Sequence, residues 1–471
     1  MNRPDKNTVD VVVIGAARSG VAAASLLKKT GSNVFVSDHG AVEKHIKQQL
    51  DNEEIPYEEN GHTERAKSGT FAVVSPGVPS SAPIVQEYQK RGKNVISELE
   101  LAWQQASGTV YAVTGSNGKT TVTNWLDFVW NRASKKHRTA GNIGYAFSHV
   151  ALETTDQADL LLEVSSFQLD HIRTFRPHAA ILLNITPDHL DRYEHSFEKY
   201  VAAKFRIFEN QSSGDWLIYN HDDPVITSRI KKLRERSGAP KLLPFSTTQE
   251  LPKGAYVKDG MINIMINNNS EQLMYTSEIG LAGSHNLSNG LAVTLAAKVA
   301  QISNEVIRES LKRFEGVEHR LEFVRKLDGV RYINDSKATN INAAWYALDS
   351  LKTPGVLILG GRDKGNDYTN LHKLIYEKIH TVIAIGESRD KIVDQVGKVV
   401  PDIYRAETMG EAVQKAHHVA HSGDTVLLST ACSSFDMFEN YEHRGNVFKK
   451  LVHQLHSKKQ SDKSLQKNDT D

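Results

Sequence analysis

One repeating unit constrains this chain more than any other feature: a short apolar, β-branched run ends in a turn residue, and a helix-like segment follows. "VDVVVIG", "NVFVSD" and "FAVVSPG" open the series, "TVYAVTG", "DLLLEVS", "AAILLNI" and "DWLIYN" continue it, and "VRYIND", "GVLILGG", "HTVIAIG" and "DTVLLS" complete it. Apolar runs alternating with helices dictate parallel sheets built from βαβ units, not hairpins. A length of 471 residues exceeds a single core. The runs group into blocks at 1–97, 98–303 and 304–456, followed by a polar, aperiodic stretch at 457–471 that reads as a disordered tail. The predicted fold class is α/β with three domains in series. The first and last are Rossmann-like, and the central one is a P-loop domain with a mainly parallel sheet.

Composition narrows the function classes. A formal net charge of +1 argues against a broad nucleic-acid surface, since phosphate-backbone binders carry a basic excess. The single cysteine, Cys432, permits no intrachain disulfide and points to a reducing compartment. "MNRPDKNTVD" lacks the apolar core of a signal peptide, and the best apolar run, from Val11 to Leu27, is interrupted by Arg18. The expectation is a cytoplasmic protein acting on small molecules, without nucleic-acid or membrane partners, and monomeric.

Two loops compete for phosphate. "VVVIGAARSG" has the strand, Gly15, Gly20 and following helix of a dinucleotide site, with Asp38 where a ribose-binding acid belongs, but Ala17 replaces the middle glycine. "VTGSNGKTT" ends a strand at Thr114 and turns through Gly115, Ser116, Asn117 and Gly118 into Lys119, Thr120 and Thr121. Glycines there allow backbone N–H groups to face phosphate oxygens. Lys119 supplies charge for the terminal phosphates, and the Thr120 hydroxyl suits Mg²⁺. Val113 stands where a full P-loop has another glycine.

Further polar residues fall at strand ends, where open α/β sheets bind ligands. Glu163 ends an apolar strand, a costly position unless the carboxylate is paired or metal-bound. Asp188, His189 and Asp191 follow the run from Ala180 to Ile185. Lys204, within "FEKYVAAKFRIFEN", has nothing in its spacing to distinguish it from a solvent-facing lysine. In the third block, Arg320, the "INDSKATN" loop (Asp335, Lys337, Thr339), Lys364 after "LILGGRDKG", and Ser433 and Ser434 gather anion-binding groups at strand ends.

Together, "TGSNGKTT", "EVSSFQL", "NITPDHLDRY", "YVAAKFRIF", "GSHNLSNGLAV", "EHRLE", "NDSKATN", "LGGRDKG" and "ACSSFDMFENYEHRGN" resemble the Mur ligase family, over nearly the whole chain. The family comprises ATP-dependent amide-forming enzymes of peptidoglycan precursor assembly, and the last blocks look most like the branch that adds D-glutamate. The resemblance implies two Mg²⁺ ions, ATP as co-substrate, and UDP-N-acetylmuramoyl-L-alanine and D-glutamate as the species joined. It implies Thr120 and Glu163 on one ion, and His189 with Lys204, the latter as a CO₂-derived carbamate, on the other. It places Asn286, Asn289, Arg320 and Asp335 with the P-loop on ATP, and Arg18, Ser19, Asp38, Asn142 and His189 on the uridine substrate. Lys337, Thr339, Lys364, Ser434 and Tyr441 fall on D-glutamate. Three alternatives stand beside it: a nicotinamide-dependent oxidoreductase using the first loop, a non-catalytic uridine-nucleotide-binding regulator, and another Mur or folylpolyglutamate-type ligase taking a different amino acid.

Overall fold

The computed structural model describes residues 10–233, 237–267, 269–281, 283–363 and 365–457. Apart from Ser457, the stretch expected to be a disordered tail lies outside the described residues, as does Lys364. The β-branched runs form three sheets. The first is five-stranded and parallel, in the spatial order Tyr57–Glu58, Val34–Ser37, Val11–Ile14, Phe71–Val74, Asn94–Ser97. Chain order reverses between Val11–Ile14 and Phe71–Val74, so a crevice opens at the carboxyl ends of those two strands. The central strand is buried on both faces (Val11 to Ile14, 0–2% exposed). Each such side chain contributes roughly 1.5–3 kcal/mol of burial.

The second sheet has nine strands. Its parallel part runs Gly254–Lys258, Lys241–Ser246, Trp216–Asn220, Ala179–Leu182, Thr109–Thr114, Asp159–Glu163, His137–Gly141. Met261–Ile266 and Asn269–Tyr275 extend it antiparallel. The third sheet has six strands in the order Glu322–Leu327, Val330–Asn334, Thr425–Leu428, Gly355–Gly360, Ile379–Ile385, Asp402–Ala406. It is parallel except for the first pair.

The chain forms two compact units. One carries the first two sheets and Ser288–Phe314; the other carries Gly280–Leu287 and the chain from Glu315. Within the former, Ser97 caps the helix Glu98–Gln105 by accepting from Glu100 N. The Glu100 carboxylate in turn accepts the backbone N–H groups of Arg173, Thr174 and Phe175 at 2.9–3.0 Å. That buried acid is fixed by donors that favour its charged form, and the helix is thereby locked onto the second sheet. The helix Asn304–Arg313, read from sequence as opening the third block, packs on the helix Lys119–Arg132. Trp125 Nε1 donates to Ser310 O at 3.4 Å, and the Trp125 ring stacks on Phe314 at 4.8 Å. No helix among the described residues is long and apolar enough to cross a membrane.

Candidate active site

The glycine turn after Thr109–Thr114 is held in place before any ligand arrives. Ser116 N and Asn117 N donate to the carbonyl and side-chain oxygen of Asn184, both at 2.9 Å, and Asn184 Nδ2 returns a bond to Asn117 O. Ser116 Oγ donates to Thr186 O at 2.8 Å and meets Tyr200 Oη at 2.9 Å, so this serine serves the loop through its side chain. Gly118 sits at φ +84°, and a Cβ there would lie 2.7 Å from Asn289 Oδ1, so only glycine fits the turn. It also caps the helix Lys119–Arg132 without a side-chain bond, which leaves the first-turn N–H groups to an anion. Lys119 Nζ lies over the loop, 2.8 Å from both Gly115 O and Ser116 O. Thr121 is buried behind it, and Asn286 and Asn289 are buried on the helix Ser284–Val299.

Glu163, 2% exposed, ends its strand where Thr120 Oγ1 reaches Oε2 at 2.7 Å and Asn142 Nδ2 reaches Oε1 at 2.9 Å. The side chain of Asn142, a residue expected on the uridine substrate, orients this acid. A hydroxyl and a buried carboxylate side by side form the hard-oxygen donor set that Mg²⁺ prefers.

Lys204 overturns its sequence reading: it is 2% exposed, not solvent-facing. Its helix, Phe197–Phe205, buries Tyr200, Val201 and Ala203, and Lys204 lies one turn after Tyr200 on the same face. Nζ donates to Gly115 O at 2.9 Å and sits 4.7 Å above the Tyr200 ring. Burial, reinforced by the Lys119 charge, pushes its pKa well below the ordinary lysine value, while Asp188 and Glu163 oppose the shift. Burial thus favours the neutral amine over the ammonium inside the site. Asp188, left without a role by the sequence, thus proves a close electrostatic neighbour of Lys204. His189, with φ +50°, places Nε2 3.6 Å from Asp188 Oδ2 and sets its ring edge-on to Phe167 at 5.3 Å.

The first loop is arranged differently. Gly20 brings the helix Arg18–Lys29 so close to the turn that a Cβ there would lie 1.8 Å from Gly15 O. Asp38 Oδ2 accepts from Ala16 N at 2.6 Å and Oδ1 from Gly40 N at 2.8 Å. The loop amide that a pyrophosphate would use is thus already satisfied by Asp38, so the carboxylate first serves its own turn. Arg18 Nη1 reaches Gly144 O at 2.8 Å, and Nη2 reaches Asn142 O at 3.5 Å, tying this loop to the one that carries Asn142. Ser19 is half-buried in the first turn of the helix. Asp38 lines a cavity of about 1040 Å³ over the crevice, together with Gly15, His39, Gly77 and Pro79. Arg192 secures the far wall: its guanidinium donates to Pro76 O, Gly77 O and Val78 O at 2.8–3.1 Å and stacks on Phe167 at 4.4 Å.

In the other unit, Asp335 is 3% exposed, accepts from Ser429 Oγ at 2.8 Å and from Leu321 N at 3.2 Å, and has its pKa raised by burial to about 7 despite Arg320. Lys337 Nζ lies 5.1 Å over the Tyr441 ring. Arg444, missed by the sequence reading, is 1% exposed and pins two site loops by donating to Ser336 Oγ, Ser336 O and Cys432 O. Burial lowers its pKa to about 10. Ser434 is buried and Thr339 half-buried in these loops. The buried Ser433 Oγ has no hydrogen-bond partner among the described residues, an orphan atom of the kind a ligand satisfies.

Fold and site together define a P-loop nucleotide-dependent α/β enzyme. Residues 113–297 match the Mur ligase middle domain, 319–432 the Mur ligase glutamate ligase domain, and 11–84 the MurD N-terminal domain. The UDP-N-acetylmuramoylalanine–D-glutamate ligase of Salinibacter ruber is 47% identical over 94% of this chain and 97% of its own. That of Bacteroides fragilis is 44% identical over 94% and 99%. Among solved structures, the UDP-N-acetylmuramate-alanine ligase of Thermotoga maritima shares the fold at a TM-score of 0.59 and 17% identity, covering 94% of this chain and 99% of its own. The chain belongs to the Mur ligase family.

Proposed function

We propose that this chain joins D-glutamate to UDP-N-acetylmuramoyl-L-alanine at the expense of ATP, as an acid–amino-acid ligase of cytoplasmic peptidoglycan precursor synthesis. Identity of 42–47% to ligases of that name over about 94% of the chain carries the substrate assignment. The assembly of Lys119, Thr120, Glu163 and Lys204 around one glycine turn supports the chemistry.

The substrate carboxylate attacks the γ-phosphorus of ATP, ADP departs, and an acyl phosphate forms. The amine of D-glutamate then attacks the acyl carbon, phosphate leaves with the electron pair of the carbon–oxygen bond, and the nitrogen gives up a proton to the departing phosphate or to water as the amide forms. Lys119 and the first-turn N–H groups of its helix hold the triphosphate. Thr120 and Glu163 would hold Mg²⁺, which would supply charge neutralisation between the two anions. His189 and Lys204 would hold a second ion. The Lys204 amine, whose neutral form is favoured by burial, suits addition to CO₂: a nitrogen–carbon bond forms, a proton is released, and a carbamate oxygen becomes available as a ligand. The uridine diphosphate takes the crevice over Gly15 and Gly77, with Ser19, Arg18 and Asp38 beside it. The family resemblance also gives Asn286, Asn289, Arg320 and Asp335 roles in binding ATP. A dicarboxylate amino acid suits Lys337, Thr339, Lys364, Ser434 and Tyr441, since both of its ends need cations or hydroxyl donors. The protein acts as a monomer.

The acyl phosphate is testable on its own. With ATP, Mg²⁺ and the UDP substrate but no amino acid, hydroxylamine captures it as a hydroxamate. Absence of hydroxamate while product still forms with D-glutamate contradicts this route. Tight NAD(H) binding without ATP turnover contradicts the whole reading.

A further inference from the structure

A cluster of ligating side chains lies at the opposite edge of the third sheet from Asp335 and Ser429. His380, His421 and Asp424 bring one ligand atom each within 4.8 Å of one another. His380 Nε2 is 3.0 Å and His421 Nδ1 3.6 Å from the same oxygen, Asp424 Oδ2. Ligands at about 2.0–2.1 Å from a tetrahedral Zn²⁺ stand roughly 3.3 Å apart, so both separations suit a shared ion.

The backbone builds this arrangement. His380 belongs to the strand Ile379–Ile385, and Asp424 immediately precedes Thr425–Leu428; these two strands flank Gly355–Gly360. Pairing runs Gly355 to Ile379 and then Val356 to Thr381, so His380 is the extra residue of a bulge. Bulges re-aim a side chain out of strand alternation, and here the imidazole reaches across the intervening strand. Gly355 lies between them, where a Cβ would fall 2.3 Å from Thr425 O. His380 Nδ1 meets Thr381 Oγ1 at 2.9 Å, the outer hydrogen bond that fixes the ring of a metal-ligating histidine. His421 N donates to Asp424 Oδ2 at 2.7 Å and holds the carboxylate in place.

A second set of this kind, Glu318, His319 and Glu322, is already neutralised. Lys449 Nζ bonds both carboxylates, and Asn334 Nδ2 occupies His319 Nδ1. Among the described residues, no comparable cation or amide bond blocks the imidazoles of the first set.

We propose that His380, His421 and Asp424 form a site for a borderline first-row divalent ion of the Zn²⁺ class, with open positions left to water. Two imidazoles and one carboxylate favour such an ion over Mg²⁺. The strand Thr425–Leu428 spans about 13 Å at ~3.3 Å per residue, so the ion sits apart from the loops at the carboxyl edge and takes no part in the reaction. It clamps the amino ends of two strands and stabilises the unit in proportion to its occupancy.

The test titrates Zn²⁺ into chelator-stripped full-length protein against a chromophoric chelator, with saturating Mg²⁺ and ATP to cover the P-loop site. His421→Ala is the first variant, because that side chain is 83% exposed and its removal opens no cavity in the core. The proposal expects wild type to bind one more equivalent than the double variant His380→Ala/His421→Ala. It also expects His421→Ala to weaken that equivalent at least about tenfold, and Thr381→Val to weaken it by about 10- to 100-fold. Zn²⁺ raises Tm in wild type and not in the double variant, while Mg²⁺-dependent phosphate release is unchanged in all. Equal Zn²⁺ stoichiometry and affinity in wild type and double variant overturn the site.

Discussion

Thr120 Oγ1 lies 2.7 Å from Glu163 Oε2, across two neighbouring parallel strands whose register pairs Val113 with Glu163. That pairing sets the acid level with the start of the glycine turn, so a hydroxyl and a carboxylate from distant parts of the chain meet where a nucleotide-bound cation belongs. Glu163→Gln keeps the shape and the hydrogen bond but removes the charge. Its kcat should fall by about 100- to 1,000-fold, roughly 3–4 kcal/mol of transition-state stabilisation. Steady-state phosphate release measures this; activity within a few-fold of wild type contradicts the metal role.

Lys204 offers a sharper chemical test. A buried amine beside Lys119, its pKa pushed down by burial, is suited to form a carbamate, and Lys204→Ala should lose turnover that short carboxylic acids partly restore. Rescue is followed as phosphate release against carboxylate concentration. A flat response removes the carbamate, though not the P-loop, from the account.

Arg192 joins the wall of the crevice over Gly15 and Gly77, proposed to take the uridine diphosphate, to the aromatic ring that packs on His189. Arg192→Ala frees the carbonyls of Pro76, Gly77 and Val78, so KM for the uridine substrate should rise about tenfold, some 1.4 kcal/mol, with a smaller effect on KM for ATP. Equal changes in both constants point to a general loss of structure.

Asp335 makes stability depend on pH. Its folded pKa of about 7 exceeds the ordinary carboxylate value of 3.8, so the folded state holds a proton that the unfolded state has released between those limits. Stability from this group is complete below about pH 4, falls as pH rises, and is lost by about pH 7, at most about 4 kcal/mol in all. Asp335→Asn should flatten that slope in urea unfolding of the ligand-free protein followed from pH 5 to 8; an unchanged slope assigns it to other groups.

Much of this was legible in the sequence because local patterns coded for it. The strand runs, the turn at Gly115–Gly118 and the terminal position of Glu163 follow from hydrophobicity and turn chemistry within a few residues. The antiparallel extension at Met261–Ile266 and Asn269–Tyr275 is less legible: the first strand is apolar, but its edge partner, NSEQLMY, is mostly polar. Lys204 looked like any lysine because only tertiary packing buries it. Arg444 and Asp188 went unassigned for the same reason: their partners, Ser336 and Cys432 in one case and Lys204 in the other, are far away in sequence. Asn142 carried no signal for Glu163, since that contact depends on the register between His137–Gly141 and Asp159–Glu163.

The most direct measurement supplies purified protein with ATP, Mg²⁺ and UDP-N-acetylmuramoyl-L-alanine and offers a panel of amino acids singly, following phosphate release and the mass of the product. The account predicts release and an added glutamyl residue with D-glutamate alone. Release with L-alanine, a diamino acid or a dipeptide but not D-glutamate contradicts it.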